Sequence, residues 1–249
     1  MLFVAVPTYD GAPEAAQRDS IHKLRVALKE KSIYYEAREC SFIPWARDLA
    51  AHNFLKSECD ELLFVDDDIS FEPETIFAMR AANVPVVGVA CPKKVLTWDN
   101  VRAAAIGRLN VPLAWAAADF VLNPDKSQPD PWAKDEKGLL TVKSAGTGLL
   151  LIQRRVFEEL ALHVKSYHNG ANPQLLGETI RAYFPPGIRH DPDDGKDHYD
   201  SEDYGFCNLW RAAGGLVKIL PDATVGHTGR YTYTGNLAVT LAIGGKAMR

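Results

Sequence analysis

The chain reads as an α/β protein, with a mostly parallel N-terminal sheet carrying helices on its faces and a mixed C-terminal half. Three observations predict this. Through residues 2–90, short apolar runs alternate with segments of helical period, the pattern of successive βα units. An acid triplet, Asp66-Asp67-Asp68, follows the third apolar run, where an open α/β sheet carries its ligands. Beyond residue 95 the chain changes character, with longer loops rich in proline, glycine and charge.

The elements follow in order. LFVAV (2–6), ended by Pro7, predicts a buried first strand. Between Pro13 and Lys31, Ile21, Leu24, Ala27 and Leu28 fall on one helical face. SIYYEAREC (32–40) is rich in β-formers and predicts a second strand. A helix over 45–58 carries Leu49, Ala50, Phe54 and Leu55, and ELLFV (61–65) is the third strand. Glu72-Pro73-Glu74 starts a helix to about Ala82, with proline and acids in its first turn. VPVVGVA (84–90) is the fourth strand.

In the second half, residues 123–138 read as an exposed loop or lid. LLTV and GLLLIQ are strands flanking SAGTG, 154–164 is helical and 168–179 is loop-like. A second acidic run, HDPDDGKDHYDSEDYGF (190–206), leads into a helix bearing Phe206, Leu209 and Trp210. LVKILP and ATVGHTGRYTY close the core. No internal repeat or clean linker appears, so one domain over 1–249 is expected.

The 249 residues, 47% hydrophobic and 24% charged, suffice for a full core. A net charge of −4 argues against general nucleic-acid binding. The four cysteines form no C-x-x-C pair, which excludes common zinc spacings and a dense disulfide framework. No basic leader-like region opens the chain, and no apolar segment reaches the length of a membrane span. A cytoplasmic, reducing location is therefore expected.

Three adjacent carboxylates at the end of a buried strand are costly unless a cation meets them. A divalent ion with hard oxygen ligands, Mg²⁺ or Mn²⁺, shared with a substrate phosphate, answers that cost. The competing account is a solvated acidic turn before a helix. The loop around Gly195 does not fit a calcium hand: His190 and Ser201 occupy its end positions.

Taken together, VPTYDG, ARDLAAHNFL (46–55), FVDDDI, SAGTGLLLIQRRVFEEL (144–160), YDSEDYGFCNLWRAAG (199–214) and VGHTG (225–229) resemble, in order, the motifs of GT-A-fold glycosyltransferases, nearest to small bacterial, phage or viral members. Asp48 stands where that family commonly has asparagine. The resemblance implies a GT-A-like fold: a nucleotide-binding half over 1–95, an acceptor and catalytic half over 96–230 and a tail over 231–249. It implies a hexosyltransferase-type enzyme moving a sugar from a nucleoside diphosphate sugar, UDP-sugar first, to an acceptor hydroxyl, with inversion favoured. For a phage or viral chain the location would be the host cytoplasm, and a modified nucleic acid stays open as acceptor.

Residue by residue, the resemblance places Asp66 on the ribose or the metal, Asp67 with the donor-binding residues or merely shaping the turn, and Asp68 on the metal, with His227 as a second ligand. Thr8 and Tyr9 would touch the base, and Arg47 and Lys93 the donor's charge. Gly146, Thr147 and Gly148 would let backbone approach a sugar. Asp203 would be the general base and Glu202 its orienting partner, in what should be the first turn of a helix. Plain alternatives accompany these: helix capping for Glu202 and Asp203, a buried hydrogen-bonded imidazole for His227, turn residues for Thr8 and Tyr9, a surface ion pair for Arg47 and a bulge at the glycines. Trp98, Trp132 and Tyr231 could stack on sugars but suit ordinary packing better.

Two other functions compete. A sugar-nucleotide pyrophosphorylase would need a glycine-rich phosphate loop after the first strand, and PTYDGAPEAAQR lacks one. A non-catalytic, metal-dependent carbohydrate-binding module would need the metal acids but no base, so the 202–203 pair discriminates.

Overall fold

The computed structural model describes residues 1–8, 11–29, 31–37, 41–107, 110–125, 127–171, 173–191, 194–229 and 231–242. Its first half runs β1 (Leu2–Pro7), α1 (Ala15–Leu28), β2 (Ser32–Ala37), α2 (Ile43–Lys56), β3 (Glu61–Val65), β4 (Ile69–Phe71), α3 (Pro73–Ala82) and β5 (Val86–Gly88). Proline sits in the first turn of both α2 and α3, where a missing N–H costs nothing. These are the predicted elements with trimmed ends, plus the short β4. Residues 38–40 of the expected second strand lie outside the described residues.

The second half contributes α4 (Trp98–Ile106), α5 (Leu113–Ala116), β6 (Asn123–Pro124), β7 (Leu140–Ser144), β8 (Leu149–Gln153) and α6 (Arg154–Leu160). Then come β9 (Ser166–His168), β10 (Thr179–Arg181), β11 (Gly187–Asp191), β12 (Lys196–Asp200) and α7 (Glu202–Ala212). The described chain ends with β13 (Val217–Ile219), β14 (Thr224–His227), β15 (Tyr233–Asn236) and α8 (Leu237–Ala242). Two stretches read as loop are hairpins: β9 pairs with β10, and β11 with β12. β11 and β12 carry almost no buried side chain, so no apolar period marks them. Their backbone ladder holds them, with polar pairs such as Arg189–Asp200 at 2.7 Å and His190–Asp197 at 2.9 Å across it.

The central sheet has the order β2-β1-β3-β8-β5-β13-β7-β6. β2, β1, β3, β5, β13 and β6 run one way; β8 and β7 run the other. This is the GT-A-like, Rossmann-type α/β arrangement that the sequence predicts. The third and fourth predicted strands, however, are not neighbours. β8 enters between them, antiparallel to both. Its residues LLLI are buried throughout, which suits a strand in mid-sheet, covered on both faces.

Period-two alternation sorts the side chains onto the two faces. Phe3, Ala5, Leu62 and Phe64 join one apolar cluster with Phe54, Phe157 and Phe206 from α2, α6 and α7. Leu2, Val4, Val6, Leu63 and Val65 join the other with Ile21, Leu24, Ile76 and Met79 from α1 and α3. A second sheet, β15-β14-β4, hangs from the segment just after the acid triplet.

α2 buries two charged residues in succession, Arg47 and Asp48. Asp48 Oδ1 accepts the Phe184 N–H at 3.0 Å, and Oδ2 accepts the Tyr167 hydroxyl at 3.2 Å. Burial outweighs these bonds and pushes the carboxyl up to about 7. The folded chain therefore binds a proton more tightly than the unfolded chain does. The stability this gives is complete below the ordinary aspartate value and is lost as pH rises towards 7. Asp48→Asn should flatten that loss, with a difference from wild type of up to about 4 kcal/mol between pH 4 and pH 8. Urea unfolding of both chains across that range measures it.

Candidate functional site

β8 runs against its neighbours, so its N-terminal end opens on the same side of the sheet as the C-terminal ends of β1, β3 and β5. The segment Gly146-Thr147-Gly148 is thereby delivered to the acid triplet. The backbone of the triplet is anchored from four directions. Asp66 N–H donates to Gly148 O at 3.0 Å, and Ile69 N–H closes the turn on Asp66 O at 3.1 Å. Glu14 N–H, at the start of α1, donates to Asp67 O at 2.8 Å, and Thr228 N–H, after β14, to Asp68 O at 2.8 Å. At Gly148 a Cβ would lie 3.0 Å from Cys91 Sγ and 3.5 Å from Asp66 Oδ2, so glycine lets the two segments close.

The carboxylates then diverge. Asp66 Oδ1 accepts Arg47 Nη2–H at 2.9 Å, and Arg47 Nε–H reaches Glu202 Oε1 at 3.2 Å. Arg47 is only 3% exposed. Burial alone would lower its pKa, but the charges of Asp66 and Glu202 overcome that and raise it. Its guanidinium also lies 5.3 Å from the Phe64 ring centroid. Nη1 is buried without a hydrogen-bond partner among the described residues. One arginine thus ties the β3 acids to the head of α7.

Asp68 faces the other way. Its Oδ2 meets His227 Nε2 at 3.1 Å and Lys94 Nζ at 2.6 Å. Burial pushes Asp68 up, yet these two cations hold its pKa below the ordinary value. His227 is the mirror case: burial lowers it, while Asp68 and the Pro92 carbonyl raise it further. The Pro92 carbonyl accepts from Nδ1 at 2.8 Å. That bond orients the ring and presents Nε2 to Asp68, the usual support for a metal-ligating histidine. A carboxylate oxygen and an imidazole nitrogen so placed are a donor pair that could hold a divalent cation. Asp66, expected as a third ligand, is turned to Arg47. Among the described residues, three metal-type ligands come together at Asp191, Asp194 and His198, on the largely exposed turn of the β11–β12 hairpin.

Asp203 opens α7 beside a cavity of about 260 Å³ lined also by Gly146, Gly148, Ser201 and Tyr204. Its Oδ2 lies 3.6 Å from where a Cβ on Gly146 would sit, and its Oδ1 accepts from the Ser201 hydroxyl and from Tyr204 N–H. Burial, and then the neighbouring Glu202 charge, raise its pKa against these hydrogen bonds. A carboxylate half out of water, with one oxygen bound and the other turned to a cavity, suits a proton acceptor.

The other expected residues separate. Thr8 is buried, and its Oγ1 has no partner among the described residues; Tyr9 lies outside them. Thr147 is buried beneath its flanking glycines. Lys93 pairs with Asp119 at 2.9 Å, and it is Lys94 that reaches the acids. Trp98 is exposed, Trp132 packs on the core and Tyr231 meets the Tyr233 ring at 5.2 Å. Cys91, half-buried against Gly148 with its thiol pushed up by desolvation and by Asp66 and Asp68, was not expected at the site.

Removing Arg47 leaves two acids without their shared cation. Arg47→Gln should cost about 3 kcal/mol, the lower end for a broken buried pair because Asp66 keeps some water. Denaturant unfolding at neutral pH reads this directly.

No family model matches the chain, and no curated protein matches it. Among solved structures, the chain is similar to A197 from STIV, at 14% identity over 94% of each chain with a TM-score of 0.48. It is similar to TarS 1–349 from S. aureus, at 12% identity over 97% of this chain and 64% of that one, with a TM-score of 0.40. A Bacillus anthracis protein described as a glucose-1-phosphate thymidylyltransferase, in complex with a sucrose, shares 9% identity over 65% of this chain and 75% of that one, with a TM-score of 0.36. At this overlap the fold rests on the strand order itself.

Proposed function

We propose that the chain is a divalent-metal-dependent glycosyltransferase that moves a sugar from a nucleoside diphosphate sugar, UDP-sugar first, to an acceptor hydroxyl. The observation that carries this reading is one convergence at the strand ends. Asp68 and His227 meet 3.1 Å apart, and the half-buried Asp203 lines a cavity that Gly146 and Gly148 also line. Asp68 and His227 would hold the cation, which neutralises charge building on the leaving diphosphate.

The chain's own residues supply the rest. Asp203 takes the proton of the acceptor hydroxyl as that oxygen attacks the anomeric carbon. An acid in this position suits direct displacement, hence inversion. Glu202 is held by Arg47 and fixes the head of α7, and Arg47 keeps Asp66 in register beside the donor. Thr8, just after β1, would hydrogen-bond the base; its buried hydroxyl oxygen, without a partner among the described residues, supports this. A second reading rests on Lys94: its ammonium already meets Asp68, and a lysine can neutralise a leaving diphosphate by itself.

Release of nucleoside diphosphate from a panel of donors, with Mn²⁺ and with chelator, separates the two readings. Turnover lost on chelation supports the first, and turnover kept supports the lysine. No turnover with any donor overturns both. Asp203→Asn should lower the rate on the order of 10²- to 10⁴-fold. Its pH profile should also lose the wild-type acidic limb, in which activity falls as pH drops through the raised Asp203 pKa. Separately, Asp68→Ala and His227→Ala should each weaken Mn²⁺ binding in calorimetry roughly tenfold or more, with folding retained by circular dichroism.

A further inference from the structure

A second, larger cavity of about 500 Å³ is walled in part by the head of α2. Its wall includes Phe42, Trp45, Asp48, Tyr167, His168 and Phe184. The sequence marks none of these as a group, because they come from the head of α2, from β9 and from the segment before β11. The cavity is joined to the acid site in two ways. Asp48 directly follows Arg47 in α2, so adjacent residues of one helix face the two sites. Pro185, next to Phe184 in the cavity wall, lies against α7: a Cβ at Gly205 would fall 1.9 Å from the Pro185 carbonyl oxygen. Glycine at 205 therefore lets the wall rest on the helix whose first turn holds Glu202 and Asp203.

The lining states what it accepts. No lysine or arginine is among the described residues that form it, so nothing in the wall would neutralise a phosphate or an acidic glycan, and both are disfavoured. The surface is mainly aromatic and prolyl, with the exposed His168 as a polar member. Aromatic faces are electron-rich and attract the positively polarised C–H bonds of a ring laid flat on them. The volume is that of a small-molecule site and is far larger than a single quaternary ammonium group needs. Phe42, 56% exposed, stands as an open aromatic rim, which suits a chain passing across it rather than an enclosed acyl tail.

We propose that this cavity is a binding subsite for a neutral, hydroxyl-rich carbohydrate whose rings stack on Trp45, Tyr167 and Phe42. Its role as the acceptor's anchoring subsite rests on the transferase reading above; the binding itself does not. An array of neutral and acidic glycans is probed with the labelled full chain, in chelator and without donor. Wild type should bind neutral glycans in preference to acidic ones. Trp45→Phe and Phe42→Ala should each weaken that binding roughly tenfold, the loss of one good stacking contact. Phe42 is exposed, so its variant keeps the result interpretable if Trp45→Phe is destabilised. Binding that is absent across the array, or unchanged in Phe42→Ala, overturns the proposal. So does capture of tetramethylammonium or a decyl chain in place of glycans. The array is read without donor or metal, so a failed transferase assay leaves the glycan result standing.

Discussion

A single buried guanidinium holds the functional face of this protein together. Arg47 lies in mid-helix and is nearly sealed from water, yet it binds a carboxylate from β3 and another from the head of α7. Two acids brought together without it would repel each other in a medium where charge is expensive. With it, the end of β3 and the start of α7 are fixed relative to each other, and Asp203 rides on the second of these. Such a cluster is weak evidence for stability but good evidence for positioning, since each charge has one geometry that satisfies it. The stacking of Arg47 over Phe64 extends the restraint into the core beneath.

The second organising fact is the direction of β8. A parallel strand in that place would put the Gly146–Gly148 segment at the far edge of the sheet. Running against its neighbours, the strand begins where they end. The glycines then meet Asp66 on one side and Asp203 on the other, and the two halves of the chain share one opening. The acids divide their work there. Asp66 faces a permanent cation, whereas Asp68 faces a histidine and a lysine.

Much of this was legible in the residues. The buried strands showed as apolar runs and the helices as periodic ones, because both faces of the sheet need covering. The acid triplet showed because charge at the end of a buried strand has no packing explanation. Other features left no mark. Only antiparallel pairing sets β8 between β3 and β5, and LLLI reads the same in either direction. The β11–β12 hairpin is held by its backbone ladder with polar side chains across it, so it has no apolar period to betray it. Lys93 and Lys94 are indistinguishable in sequence, yet one turns to Asp119 and the other to Asp68. The aromatic wall beside Asp48 is drawn from three distant segments, which no local pattern connects.

The position of His227 has a mechanical consequence. It is the last residue of β14 and pairs in register with Ile69, the residue immediately after Asp68. The imidazole and the carboxylate are thus neighbours across a strand ladder, not across a flexible loop. A slip of one residue would turn the ring to the opposite face of the ribbon. A cation held by both groups, as proposed, would therefore also rivet β14 to β4, and behind them β15 and α8 to the body of the fold. Under that proposal, ligand capture at this corner would also reinforce the last described elements of the chain.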